Sequence, residues 1–139
     1  MTTTTTDTAP VLDITEAVSK TYVQTMAHGG ATVSLADPDG AIPGRYVVSL
    51  PDAEDVVWAP VFTPTAIHAY VDAHAERLSQ PGIYLGTWMH GDQVFIDLSV
   101  TFDDLTDATE FGIRGKQFAI WDRVEHAEIR LPSWQGYAE

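Results

Sequence analysis

Apolar and polar positions along this chain recur with two periods, and the switches between them mark its elements. Ile14, Ala17, Val18, Thr21, Tyr22, Thr25 and Met26 recur at helical spacing and predict a first helix from Ile14 to about Ala27. Asp13 and Glu16 stand at N-cap and N3 spacing, and His28-Gly29-Gly30 stops the helix. The period then shortens. Thr32-Val33-Ser34-Leu35 and Arg45-Tyr46-Val47-Val48-Ser49-Leu50 flank the turn sequence Asp37-Pro38-Asp39-Gly40, and Asp55 to Val61 reads as a third strand limited by Pro60. Together these three predict a small β-meander. A second helix follows, with Thr63 as cap, Pro64 in its first turn, an inward stripe of Ile67, Tyr70, Val71, His74 and Leu78, and a stop at Gln80-Pro81-Gly82.

Ile83 to Met89 and Gln93 to Phe102 predict a hairpin closed by His90-Gly91-Asp92. The second strand alternates strictly, with Val94, Ile96, Leu98, Val100 and Phe102 on one side and Phe95, Asp97, Ser99 and Thr101 on the other. A third helix runs from Asp103 to about Arg114 with Gly115 at C′, then strands over Lys116 to Asp122 and Ala127 to Leu131. From Arg45 onward the simplified order is strand, helix, strand, strand, helix, strand. The expected class is therefore α+β: an antiparallel sheet with two helices on one face, a ferredoxin-like βαββαβ core preceded by an N-terminal helix and the meander. Residues 1–10 are expected to be a disordered threonine-rich tail on a single domain spanning 11–139.

The alternation also predicts a second sheet face. If strand parities line up, Tyr84, Trp88, Phe95 and Trp121 form an aromatic patch around Asp97, with Phe118 and Ile120 on the opposite side. The plainer expectation is that the first helix or the meander covers this face. An exposed protein-binding or self-association surface is the alternative.

Charge changes the picture most. Twenty acidic residues against seven basic leave a net charge of −13, which opposes direct binding to a phosphate backbone or an anionic membrane. With no cysteine there is neither a disulfide framework nor a thiolate metal site, and no apolar run approaches the roughly 20 residues that span a bilayer. The opening residues lack the basic and apolar regions of a secretory signal, so the expected location is cytoplasmic.

Candidate catalytic sets are thin. His74 on the apolar stripe reads as a hydrogen-bonded, semi-buried histidine. His68, Asp72 and Glu76 share i,i+4 spacing, but HExxH and a calcium loop are both missing. Ser99 and Asp97 share a strand face without a G-x-S-x-G elbow or an identifiable histidine partner. Neither G-x-G-x-x-G nor a P-loop is present. No catalytic residue, cofactor or metal is assigned.

The acids themselves are the main candidates. Asp103, Asp107 and Glu110 fall on one stripe of the third helix with Asp104 beside them, while Asp52, Glu54 and Asp55 cluster in a loop. First-turn aspartates cap helices and complement the dipole, and a high negative charge maintains solubility. Ordered carboxylates roughly 6 Å apart also imitate successive phosphates, so a basic, DNA-binding host protein is a candidate partner.

Pro81-Gly82-Ile83-Tyr84-Leu85-Gly86-Thr87-Trp88, then Val94-Phe95-Ile96-Asp97-Leu98-Ser99, an acidic helix, and Gln117-Phe118-Ala119-Ile120-Trp121-Asp122 form a pattern. It resembles small uncharacterised acidic proteins of actinobacteria, their phages and their conjugative elements. The resemblance implies an accessory protein acting on a host protein; it carries no site residues. Three function classes follow as expectations: an acidic, non-enzymatic binding or inhibitor protein, DNA-mimic-like toward a basic host protein; a homo-oligomeric structural module using the sheet aromatics; and a small ligand-binding domain or enzyme.

Overall fold

The computed structural model describes residues 14–132. In chain order these form α1 (Thr15–His28), β1 (Gly30–Val33), β2 (Tyr46–Ser49), β3 (Asp55–Trp58), a 3-10 turn (Ala59–Val61), α2 (Pro64–Ala73), α3 (Ala75–Leu78), β4 (Tyr84–His90), β5 (Gln93–Phe102), α4 (Leu105–Arg114), β6 (Ala119–Asp122) and β7 (Ala127–Arg130). The fold is α+β, with one antiparallel sheet in the order β1-β4-β5-β2-β6-β7 and β3 added beside β5.

The expected meander does not form. β1 pairs with β4, while β2 and β3 both pair with β5 and not with each other. The physical reason is strand length. The β4–β5 hairpin supplies long ladders on which each short strand satisfies more backbone groups than another short strand could offer. β2 and β3 lie in file along β5: Leu50 N–H still donates to Leu98 O at 2.8 Å, whereas Asp55 already lies opposite Ile96. Residues 51–54 therefore loop out of the ladder.

Local chemistry explains the helices. Thr63 accepts from Ala66 N–H at 3.2 Å and Pro64 occupies the first turn of α2. Removing that cap with Thr63→Ala is expected to lower the unfolding free energy by about 1 kcal/mol, read by urea denaturation. Asp104 caps α4 through Asp107 N–H at 3.3 Å, so the helix starts two residues later than Asp103. Asp13, the expected cap of α1, lies outside the described residues, as do the 1–10 tail and residues 133–139. Two terminations depart from expectation. The second helix breaks at His74, whose φ of −120° separates α2 from α3. At the end of α4, Gly115 has an ordinary φ of −87° and Lys116 takes the left-handed conformation at 59°.

The helices pack on the sheet side bearing the even-numbered positions of β5. Val94, Ile96 and Leu98 meet Ala17 and Val18 of α1 and Ile67, Tyr70 and Val71 of α2. Further along, Tyr46, Val48 and Ile120 meet Ala108 of α4, with Phe102 and Phe111 at the margin. Antiparallel partners share a face, so the pairs Tyr46–Phe102 and Val48–Val100 place both clusters on one side. Four helices share it, α1 and, through Leu78, α3 included; none of the described helices lies on the other.

That other side is concave. Trp88 on β4 stacks on Phe118, at the foot of β6, with ring centroids 4.9 Å apart. Since β5 and β2 intervene, a flat sheet would hold those strands roughly 14 Å apart. The sheet curls, and its second face folds on itself, burying Val47, Tyr84, Asp97 and Ser99. No described helix is long and apolar enough to cross a membrane.

Candidate functional site

The concave face is organised around one carboxyl group. Asp97 is only 5% exposed. Ser99 Oγ donates to its Oδ1 at 2.6 Å and Ser49 Oγ to its Oδ2 at 2.8 Å. Opposite it on β4 stands Gly86. A Cβ there would fall well inside contact distance of Asp97 Oδ1 and 2.5 Å from Ser99 Oγ, so the missing side chain is the space that the Asp–Ser pair fills. Among the described residues no cation pairs with Asp97. Burial therefore pushes its pKa above the ordinary carboxylate value, with the two serine hydroxyls opposing the rise. The same group acts on its neighbours: Glu54 is raised by burial and by the Asp97 charge, and Tyr70 by burial, Asp97 and Asp55.

Asp122 is the counter-example. Arg45 reaches it with Nε to Oδ1 and Nη2 to Oδ2, both at 2.9 Å, and Val124 and Glu125 N–H donate to Oδ1. The guanidinium foremost, and then these amides, hold its pKa down at about 2. One carboxyl is buried without a cation and the other is clasped by one. Their pKa values are shifted in opposite directions.

The aromatic parities place Tyr84 beside Ser99, Trp88 beside Phe95, and Trp121 beside Val47, all on the concave face. Trp88 lies 6.3 Å from Phe95 and packs on Phe118. Phe118 is not on the helix side as its parity suggested, because a bend precedes β6 and the period of two does not extend to it. Arg130 lies over the Phe118 ring at 5.3 Å. Trp121 stands apart, three strands from Trp88, and is 40% exposed. Neither α1 nor the strands of the expected meander cover this face.

The acidic candidates divide into two groups. Asp103 and Asp104 begin α4 and Asp107 and Glu110 lie along it, all exposed. Asp52 and Glu54 occupy the loop between β2 and β3 and Asp55 opens β3, next to the far end of α4, where Gly115 faces Pro51. The ten-residue helix puts its start, at Asp103 and Asp104, about 15 Å from that loop, with Asp107 and Glu110 spaced between. Asp52 pairs with Arg77 at 3.2 Å. Asp103, Asp107 and Glu110 have no ion pair with a described cation.

The histidine sets dissolve. His68 Nδ1 meets Asp72 Oδ2 at 3.1 Å, but Glu76 lies beyond the break at His74, and the described residues contain no group of three metal-ligating side chains. His74 stacks against Tyr70 at 4.2 Å.

Trp58 is not among the residues that the sequence pattern singles out. It is 59% exposed, with Val56 at 49% and Val61 at 55%, and both Val56 and Trp58 lie on the side of Phe95 and Gln93. In sequence the alternation puts Val56 and Trp58 on one face; that this face is the outward one is shown by the packing of Val57 against the core. No family model matches the chain, and no curated protein or solved structure matches it at a significant level.

Proposed function

We propose that this protein is an acidic, non-enzymatic binding protein that engages a basic surface of another protein in the cytoplasm, as an accessory or inhibitor protein of a phage or mobile element would. One observation carries the reading. Exposed apolar side chains, Val56, Trp58 and Val61, lie among the exposed carboxylates Glu54, Asp55 and Asp92. A large aromatic beside charges is the usual composition of a binding hot spot: the ring supplies buried area and the charges select and steer the partner. The α4 row of Asp103, Asp107 and Glu110 adds a stripe with phosphate-like spacing, which is the DNA-mimic part of the proposal. Self-association through the same residues is the weaker reading, because it brings together two chains of net charge −13.

The sheet order supports a finer reading of the fold as well. β4-β5-β2-β6, with α2 and α4 as crossovers, is the order of a ferredoxin-like core, and α1, β1, β3 and β7 are additions to it.

The test is capture from host extract on immobilised wild-type chain and on a Trp58→Ala, Asp55→Asn, Asp92→Asn variant. A basic protein should bind the wild type, release as screening tightens from about 10 Å at 0.1 M salt to about 3 Å at 1 M, and pass through the variant column. Retention that ignores both salt and the substitutions would refute the reading.

A further inference from the structure

The open edge of β3 extends the proposed function to a specific mode of recognition, and it rests on that reading. β3 pairs with β5 on one side, and no described strand pairs with its other side. The ladder settles which backbone groups are turned which way. Ala59 N–H donates to Asp92 O at 2.7 Å, continuing the register in which Trp58 lies opposite Gln93. Hydrogen-bonded pairs alternate along an antiparallel ladder. Asp55 and Val57 therefore turn their N–H and C=O toward β5, and Val56 and Trp58 turn theirs outward.

Exposed edges of this kind are normally blunted by lysine, proline or a bulge within the strand. β3 has none of these among its four residues; Pro60 follows and bounds the usable edge. The four positions span roughly 13 Å. Their side chains alternate too. Val56 and Trp58 offer apolar surface on the concave side, and Asp55 places a carboxylate on the other, with Glu54 and Asp92 at the two ends.

We infer that β3 is a docking strand to which an extended segment of a partner protein, alternating apolar and basic residues, adds as a further antiparallel or parallel strand. Its apolar side chains lie against Val56 and Trp58, its basic ones meet Asp55 and the flanking carboxylates, and its backbone satisfies the outward N–H and C=O groups. Chain charge selects the sign. With −13 on this protein, an acidic strand is repelled from the same edge.

The probe is an end-blocked hexapeptide of alternating valine and lysine, titrated into the full chain and followed by amide NMR. Val56 and Trp58 N–H should shift and exchange with water about tenfold more slowly. The same peptide methylated on the backbone nitrogens that face β3, and a valine–glutamate version, should fail to bind. Val56→Pro removes one outward donor at a place where proline is tolerated, since an edge N–H facing solvent makes no ladder bond. It should keep the wild-type melting temperature and weaken the peptide by about tenfold. Equal binding of the methylated peptide, or shifts confined to α4, would overturn strand addition while leaving recognition of basic proteins standing. Failure of every lysine-bearing peptide to bind would overturn both. Should the proline variant not fold, the methylated peptide still decides the question.

Discussion

Replacing Gly86 by alanine is expected to cost about 3 kcal/mol of unfolding free energy, because the new methyl cannot be accommodated without displacing a buried, hydrogen-bonded carboxyl. The Cβ would press on Asp97 Oδ1 and Ser99 Oγ, and both are already committed to each other and, through Asp97, to Ser49. Asp97 has no room to turn away, since Leu98 and Ile96 on either side of it are anchored in the helix-side core. Asp97→Ala alone should cost about 2 kcal/mol, as the buried Ser99 hydroxyl and the half-buried Ser49 hydroxyl lose their acceptor. The decisive result is the double variant. With the carboxyl gone the methyl has space, so Gly86→Ala with Asp97→Ala should be more stable than the sum of the single losses by about 1–2 kcal/mol. Urea denaturation of the four proteins measures this coupling. Additive losses would mean that the close approach of Gly86 and Asp97 is not what requires the glycine.

Stability is expected to peak in weak acid and decline toward neutral pH, and Asp97→Asn should flatten that decline. Asp97 has a folded pKa raised above its ordinary 3.8 by burial. The folded state therefore holds this proton more tightly than the unfolded chain does. Its contribution is full below pH 3.8 and is lost as pH rises through the folded value. Glu54, raised by burial and by Asp97, adds in the same direction. Asp122 has the opposite sign: held at about 2 by Arg45, its contribution is present above 3.8 and disappears as pH falls toward 2. The two slopes enclose a maximum between them. Asparagine has nearly the shape of the neutral acid and does not ionise. Melting temperatures of the variant should thus fall less steeply than those of the wild type from weak acid to neutrality, with both proteins keeping the Arg45–Asp122 loss at low pH. Parallel curves would show that Asp97 does not govern the decline, and surface repulsion at −13 would then be the cause.

Those two results bear on the concave face and the edge beside it. A carboxyl held without a cation is costly, and here it is bought with two serines and a glycine rather than with an arginine. The central strand β5 carries both Asp97 and Phe95, and β3, with Trp58 and Val56, is built on the same strand. Rigid strands beneath an exposed aromatic lower the ordering cost of binding at that edge.

Much of this architecture can be read along the chain, because it depends on neighbours near in sequence. The strict alternation from Gln93 to Phe102 identifies β5 to the residue, and Thr63-Pro64 marks the start of α2, since caps and periodicity act within a few residues. The separation of Asp97 from Leu98 across the sheet follows from the same alternation. What the chain alone leaves open involves residues far apart. Pairing of β1 with β4 and of β2 with β6 joins segments more than forty residues distant, and short apolar runs carry no label for their partners. The stacking of Phe118 on Trp88 depends on a curl that no local pattern encodes. The split of the acidic residues into two groups depends on where α4 lies over the sheet. Local sequence determined the elements, the faces and the surplus of charge; only the tertiary structure decided that the glycine faces the buried acid and that Trp58 ends on an open edge, because contacts between distant segments are set by whichever arrangement satisfies the most backbone and buries the most surface at once.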